Sequence, residues 1–408
     1  MMLDWNELYA SRMGNVVASD IRERMKLLSA GEIIHLGGGL PDPDIFPYDA
    51  LAAASAHIWN DRARARTALQ YAPSEGHGPL REWIAAYLSR NGAPCGIDNV
   101  MIVNGSQQGL DFVGKLLLSP GDRAMVEIPS FIGALRAFDA YQPCYVGLPQ
   151  NSEEWRADRL GGAKFCYVGP DFRNPTGTTM TRQERDRLLD LSDATGMPIV
   201  EDGCYDRLRY DGEHIPSLFA LGVERYGDVE RSPVIQTGTF SKTIAPSLRV
   251  GWLAGPTAVI RKCVLIKQAS DLATSALNQM LLLDVAETHL DAATKVACDL
   301  YRERRDSMLA ALAENMPEGF SWTRPEGGLY IWVELPEHID GNAFAQRALA
   351  EHSVSTISGA AFYPASSSDT IAKRNTLRLS FSMIAADRAR EGIVRIGQLA
   401  REMVTAAA

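Results

Sequence analysis

Residues 165–202 read FCYVGPDFRNPTGTTMTRQERDRLLDLSDATGMPIVED, and this stretch sets the fold. It opens on an apolar run, Phe165 to Val168, with the length and composition of a buried strand. Asn174-Pro175-Thr176-Gly177 follows and reads as a turn. Thr181, with Glu184 three residues later, forms a capping box, in which each side chain accepts a backbone N–H that the start of a helix leaves free. The helix is expected to stop at Gly196, where glycine adopts a left-handed cap at little cost. A second apolar run, Pro198 to Glu201, comes next and ends on Asp202. Strand, crossover helix and strand make one βαβ unit.

The same alternation extends outward from about 100 to 255. Val100 to Val103, Ala124 to Ile128, Cys144 to Leu148, Val234 to Thr237 and Val250 to Leu253 also read as strands, which brings the total to seven. Apolar strands alternating with helices predict an α/β fold whose large domain is a seven-stranded, mostly parallel sheet covered on both faces. A helical apolar period through Leu281, Leu282, Val285, Leu309 and Leu312 predicts a bridging helix over 278–315. Beyond it, strands at Leu329 to Leu335 and Thr376 to Phe381 flank a helix around 341–352, and Ser366-Ser367-Ser368-Asp369 is a polar loop. This region reads as a smaller α+β domain built from the two chain ends. The expected division is 1–50 for an N-terminal arm and part of the small domain, 51–285 for the large domain, and 286–408 for the small C-terminal domain.

At 408 residues, with 46% apolar and 22% charged side chains, the chain has ordinary globular composition and enough length for two cores. A net charge of −9, with basic residues dispersed, argues against a nucleic-acid partner. No apolar run approaches the roughly 18 residues of a membrane span, so no membrane role is expected. The first residues carry acids where a signal peptide is basic. Six cysteines show neither metal-ligand spacing nor disulfide-like density. A cytoplasmic location is the expectation.

Chemistry-bearing residues fall at strand ends. Val103-Asn104-Gly105-Ser106-Gln107-Gln108-Gly109 runs from a strand through a turn into a helix, so free backbone N–H groups face one point, a cradle suited to phosphate. Asn174 lies near the carboxyl end of the strand before it, where open α/β sheets bind ligands. Asp202 ends the next strand, with Tyr205 just beyond. Thr239-Phe240-Ser241-Lys242 ends another, and Arg249 follows. Each has a structural alternative: a helix cap for Ser106 or Asp202, a plain turn for Asn174, a solvated surface charge for Lys242. Their order along one sheet favours a shared site.

In these motifs, in this order, the chain resembles the fold-type I aminotransferases of the aspartate-aminotransferase superfamily, class I/II. Gly38-Gly39-Leu40-Pro41, Phe46-Pro47, Gln70-Tyr71, Glu75-Gly76 and Thr376-Leu377-Arg378-Leu379-Ser380 make it most similar to the 2-aminoadipate, kynurenine and aromatic aminotransferase subgroup. The likeness spans nearly the whole chain. The stretch before Gly38 is shorter than the winged-helix domain that precedes this lobe in related regulators, so an enzyme is expected.

The resemblance implies pyridoxal 5'-phosphate as cofactor, carried by Lys242 as a Schiff base, with Lys242 then acting as the base toward the substrate. Asp202 is implied to pair with the ring nitrogen, and Tyr205 and Asn174 with the ring oxygen. Phe131 takes the stacking position. Ser106, Gln107, Thr239, Ser241 and Arg249 are implied to hold the phosphate, joined by Tyr71 from a second subunit, which makes the expected protein a homodimer with shared sites. Arg378 is implied to clamp the substrate carboxylate, Gly38 and Gly39 to line the entrance, and Arg22 to select the substrate tail. Three positions depart from the subgroup: Phe131 replaces tyrosine, Arg173 stands where glutamine is common, and Gly203-Cys204 replaces Asp-Pro or Asp-Ala. Arg173 either favours an acidic substrate or pairs with a surface carboxylate. The implied reaction moves an amino group from an L-amino acid to a 2-oxo acid such as 2-oxoglutarate. The alternative is a diverted reaction on the same cofactor, by elimination, cyclisation, racemisation or oxidation.

Overall fold

A computed structural model of the chain describes residues 3–15, 33–364 and 372–407. Arg22 and the polar loop at Ser366-Ser367-Ser368-Asp369 lie outside the described residues. The large sheet has seven strands: β1 (Val100–Val103), β2 (Arg123–Glu127), β3 (Cys144–Leu148), β4 (Cys166–Val168), β5 (Ile199–Asp202), β6 (Val234–Thr239) and β7 (Gly251–Ala254). Their spatial order is β1-β7-β6-β5-β4-β2-β3. Every expected strand is present, Val100–Val103 and Cys144–Leu148 with the expected ends and the other five with ends displaced by one or two residues.

Side chains alternate across a strand, and here both faces are buried, so the runs are apolar throughout. Val100 and Ile102 enter one core while Met101 and Val103 enter another. Cys166 and Val168 divide from Phe165 and Tyr167 in the same way. The crossover helix Arg182–Thr195 is capped as expected: the Thr181 hydroxyl accepts from Glu184 N at 3.2 Å, Glu184 Oε2 accepts from Thr181 N at 2.7 Å, and Gly196 takes a φ of 67°.

Strand direction was not legible in the apolar pattern. β7 is antiparallel to both neighbours, pairing Val103 with Gly251 on one side and Thr239 with Gly251 on the other. That register forces three segments together: the turn after β1, the Ser241-Lys242 turn after β6, and the Arg249 turn that leads into β7. Gly251 sits where they converge. A Cβ there would lie 2.6 Å from Gly238 O and 2.9 Å from Ser106 N, both backbone atoms.

A single helix of 40 residues, Ala276–Asn315, leads out of the large sheet, two residues longer at its start than the apolar period suggests. Past it, an antiparallel sheet places Thr376–Ser380 between Ile357–Ser358 and Tyr330–Glu334, with Ser321–Trp322 at its edge. Ile34–His35 pairs in parallel with Val354–Ser355. The chain's first described strand is thus held by its last third. Gly341–His352 and the C-terminal helix Ala386–Ala407 cover this lobe, whose core is separate from those of the large sheet. Among the described residues, no helix is long and apolar enough to cross a membrane.

Gly251→Ala should lower stability by about 1–3 kcal/mol, the usual cost of overpacking a tight site. A urea unfolding midpoint unchanged from wild type would show that the backbone at this junction can move apart freely.

Candidate active site

A cavity of about 360 Å³ opens at the carboxyl edge of the sheet. Ser106, Gln107, Phe131, Arg173, Asn174, Asp202, Tyr205, Thr239, Ser241, Lys242 and Arg249 all line it. These residues span more than half the large domain in sequence. Parallel strands that end on one edge deliver them to one place.

The cradle is built by backbone geometry. Gly105 turns the chain with a φ of 78° and starts the helix Ser106–Leu117. A side chain at Gly105 would collide with Arg249, whose Nη2 lies 2.6 Å from the Cβ position. Arg249 Nη2 donates to Asn104 O at 2.9 Å, which fixes the guanidinium against the turn. Arg249 itself holds a left-handed φ of 54°, an unusual conformation for a non-glycine residue. Ser241 N donates to Thr239 Oγ1 at 3.1 Å, and Thr239 Oγ1 donates to Ser241 Oγ at 2.8 Å. Cys204 Sγ donates to Ser106 Oγ at 3.0 Å, and burial pushes its thiol well above the ordinary range, so it stays a protonated donor.

Asp202 faces the cavity from the end of β5 and is 8% exposed. Tyr167 OH donates to its Oδ2 at 2.8 Å and Thr237 Oγ1 to its Oδ1 at 3.4 Å. A buried carboxylate needs such partners. Tyr205 OH meets Tyr330 OH at 3.1 Å, and burial, with Tyr330 beside it, holds the Tyr205 phenol protonated far above neutral pH. Lys242 Nζ lies 5.8 Å from the centre of the Tyr205 ring.

Arg378 lies just behind this wall, 1% exposed. Its Nη1 donates to Asn174 Oδ1 at 2.8 Å and its Nη2 to Gly37 O at 2.7 Å, while its Nε has no hydrogen-bond partner. The guanidinium lies over the rings of Tyr330 and Phe362, 4.4 and 5.0 Å from their centres. Gly38 and Gly39 are not on the cavity wall, where Leu40 stands instead. A Cβ on Gly39 would meet the Tyr330 hydroxyl. Tyr71 is 80% exposed and stands outside the cavity of its own chain.

Sequence reasoning missed Glu127, Tyr167, Tyr330 and Phe362. Only Glu127 left a signal, as the one charge at the end of the apolar run Ala124 to Ile128. It is 3% exposed, accepts from Gly169 N at 3.2 Å and lies 3.7 Å from Arg173 Nη1. Arg173 therefore pairs with a buried carboxylate on the cavity wall, a different partner from the surface carboxylate that was one of its two expected roles. Arg173 Nε and Glu127 Oε1 are both buried without hydrogen-bond partners.

The donor set suits a flat heteroaromatic ring that bears a phosphate and a carbonyl. At one end a helix N-terminus, three hydroxyls and a guanidinium suit a phosphate dianion. At the other, a buried carboxylate suits a protonated ring nitrogen, and between them stands a single lysine amine. Such a cavity on such a sheet defines a pyridoxal-phosphate enzyme.

Residues 166–396 match the family Aminotransferase class I and II. Aromatic-amino-acid aminotransferase 1 of Thermococcus litoralis is 36% identical over 98% of this chain and 95% of its own. LysN, the alpha-aminoadipate aminotransferase of Thermus thermophilus, solved with N-(5'-phosphopyridoxyl)-L-leucine, superposes with a TM-score of 0.88 at 34% identity, covering 99% of this chain and 100% of that one. Kynurenine aminotransferase of Pyrococcus horikoshii superposes with a TM-score of 0.89 at 36% identity, covering 98% of each chain. The chain belongs to the class I and II aminotransferases and is a pyridoxal-5'-phosphate-dependent enzyme.

Burial pushes the Glu127 carboxyl up to about 7, opposed by Arg173 and by the Gly169 N–H and reinforced by the nearby Asp202. A carboxyl that binds its proton more tightly when folded stabilises the fold fully below its ordinary value of 4.5, and that contribution is lost as pH rises through about 7. Glu127→Gln is neutral throughout and avoids the loss. In urea unfolding of the cofactor-free protein, the variant should gain on wild type between about pH 5 and about pH 8. A constant difference would mean that Arg173 keeps Glu127 ionised at both.

Proposed function

We propose that this enzyme moves the amino group of an L-amino acid, of the 2-aminoadipate or aromatic type, to a 2-oxo acid such as 2-oxoglutarate. The observation that carries the reading is the pairing of two guanidinium groups with one lysine: Arg378 behind Asn174, and Arg173 on the cavity wall that Lys242 shares. The names of the relatives, which include aromatic, aminoadipate and kynurenine aminotransferases, support the same substrate class.

When bound, the cofactor supplies a ring that takes up the electron pair left as the substrate's alpha C–H bond breaks. Lys242 would hold the cofactor covalently, release it to an incoming amine, and carry the substrate's alpha proton on Nζ. Asp202 would keep a proton on the ring nitrogen, with Tyr167 orienting its carboxylate. Tyr205 and Asn174 would hydrogen-bond the ring oxygen, and Phe131 would stack on the ring. Ser106, Gln107, Thr239, Ser241 and Arg249 would hold the phosphate.

Arg378 offers a planar fork to the substrate carboxylate, a geometry that lysine lacks. Its two ring neighbours and its bonds to Asn174 and Gly37 fix that plane before substrate arrives. Gly38 and Gly39 lead into Leu40 on the cavity wall, and Arg22 acts on the substrate tail. Arg173 is a second reader of the tail, because it lines the cavity that Lys242 shares. Exposed Tyr71 reaches the phosphate site of a second copy, which makes the working unit a homodimer, and the site of action is the cytoplasm.

Incubation with 2-oxoglutarate and a panel of amino acids, reading glutamate formed, tests the reaction. Consumption of the amino acid without glutamate would point to diverted chemistry instead. Lys242→Ala should remove turnover while the chain stays folded, and borohydride reduction of the wild-type holoenzyme should leave the cofactor on the peptide containing Lys242. Label elsewhere would overturn the assignment.

Arg173→Gln should cost glutamate and 2-aminoadipate about 1.5–3 kcal/mol in kcat/KM, the worth of a charged hydrogen bond, and spare phenylalanine and leucine. Equal losses on all four would remove Arg173 from tail selection.

A further inference from the structure

Beneath the cradle, outside the cavity, lies a polar cluster that the chemistry above does not use. Asp271 Oδ2 accepts from Asn104 Nδ2 at 2.5 Å, Gln108 Nε2 at 2.7 Å and Lys267 Nζ at 3.0 Å. Lys267 Nζ also donates to Asp271 Oδ1 at 3.0 Å and to Gln108 Oε1 at 2.9 Å. Gln108 Oε1 in turn accepts from Asn104 N at 2.8 Å.

Local structure alone does not account for this arrangement. Asp271 is the C-cap of the helix Thr257–Ser270, where the helix dipole disfavours an acid. The Lys267 side chain has 0% exposure, although lysine is almost never buried unless paired. Leu272, just beyond, holds a φ of 67° that a non-glycine residue rarely adopts. Three local costs at one helix end need a compensating gain, and the bonds to Asn104 and Gln108 supply it.

Those two residues bracket the cradle. Asn104 precedes Gly105, and Gln108 lies in the first turn of the helix whose N-terminus faces the cavity. The bonds to Asn104 N and Asn104 Nδ2 come from this cluster, while its carbonyl is taken by Arg249. The turn is therefore gripped from behind, and its φ of 78° at Gly105 is fixed before any ligand arrives.

We propose that the Lys267–Asp271 pair is a positioning device for the phosphate cradle, acting through Asn104 and Gln108 and touching neither cofactor nor substrate. The inference rests on the reading that this cradle receives the cofactor phosphate. It predicts that weakening the pair lowers affinity for the phosphate end of the cofactor alone.

The test compares binding of pyridoxal 5'-phosphate and of pyridoxal, which lacks the phosphate, to the cofactor-stripped full-length protein. Wild type should prefer the phosphorylated form strongly; if it does not, the cradle reading itself fails. Given that preference, Asp271→Asn should weaken pyridoxal 5'-phosphate by about tenfold, the scale of one charged hydrogen bond, and leave pyridoxal within about twofold. Asp271→Glu, which keeps the charge, should recover part of the loss. Equal weakening of both ligands would make the pair merely structural, and unchanged affinity for both would also overturn the proposal. Should Asp271→Asn fail to fold, Gln108→Met carries the same comparison, because it cuts the link to Asn104 N and keeps the ion pair.

Discussion

The active site depends on one antiparallel strand in an otherwise parallel sheet. β7 runs between β1 and β6 in reverse, and Gly251 pairs with Val103 on one side and Thr239 on the other. Were β7 parallel, Arg249 would leave the sheet at the opposite edge, far from Ser106 and Lys242. Reversal places the turn before β7 beside the turns after β1 and β6. The requirement is steric as well as topological, since only a residue without a side chain fits where three backbones meet.

Around that junction the site is a balance of buried charge. Asp202 and Glu127 both end strands on the cavity wall, where low polarity makes an unpaired carboxylate expensive. Each has a distinct remedy. Asp202 receives two hydroxyl donors, Tyr167 and Thr237, whereas Glu127 receives one backbone N–H and a guanidinium 3.7 Å away. Burial drives Glu127 toward protonation. Positive groups come from four directions: Lys242 from the turn after β6, Arg249 from the turn before β7, Arg173 from the loop after β4, and Arg378 from the smaller sheet. Arg378 also links the lobes, since its bonds reach Asn174 in the large domain and Gly37 in the N-terminal segment.

Much of this was legible in the chain itself. Apolar runs bounded by turns marked all seven strands, and the Thr181 and Glu184 capping box with Gly196 marked a helix to the residue. Polar residues at strand ends marked most of the cavity, because an open α/β sheet can present ligands only at that edge. What stayed hidden shares one cause: it depends on which distant residues become neighbours. Tyr167 reads as a core aromatic in its strand, and only β5 lying beside β4 turns its hydroxyl into a partner for Asp202. Tyr330 and Phe362 carry no motif, and they matter because the small lobe brings both rings against Arg378.

The sequence by itself determined element type, strand ends and the chemistry available there, since propensity, capping and alternation act over a few residues. Tertiary structure alone decided the direction of β7, the partner of Arg173, the enclosure of Arg378 and the grip of Lys267 and Asp271 on the cradle. Each of those is a contact between residues distant in the chain, or a pairing direction that burial on both faces leaves unmarked. An apolar strand buried on both sides looks the same read in either direction, and a charged side chain does not announce which opposite charge it will meet.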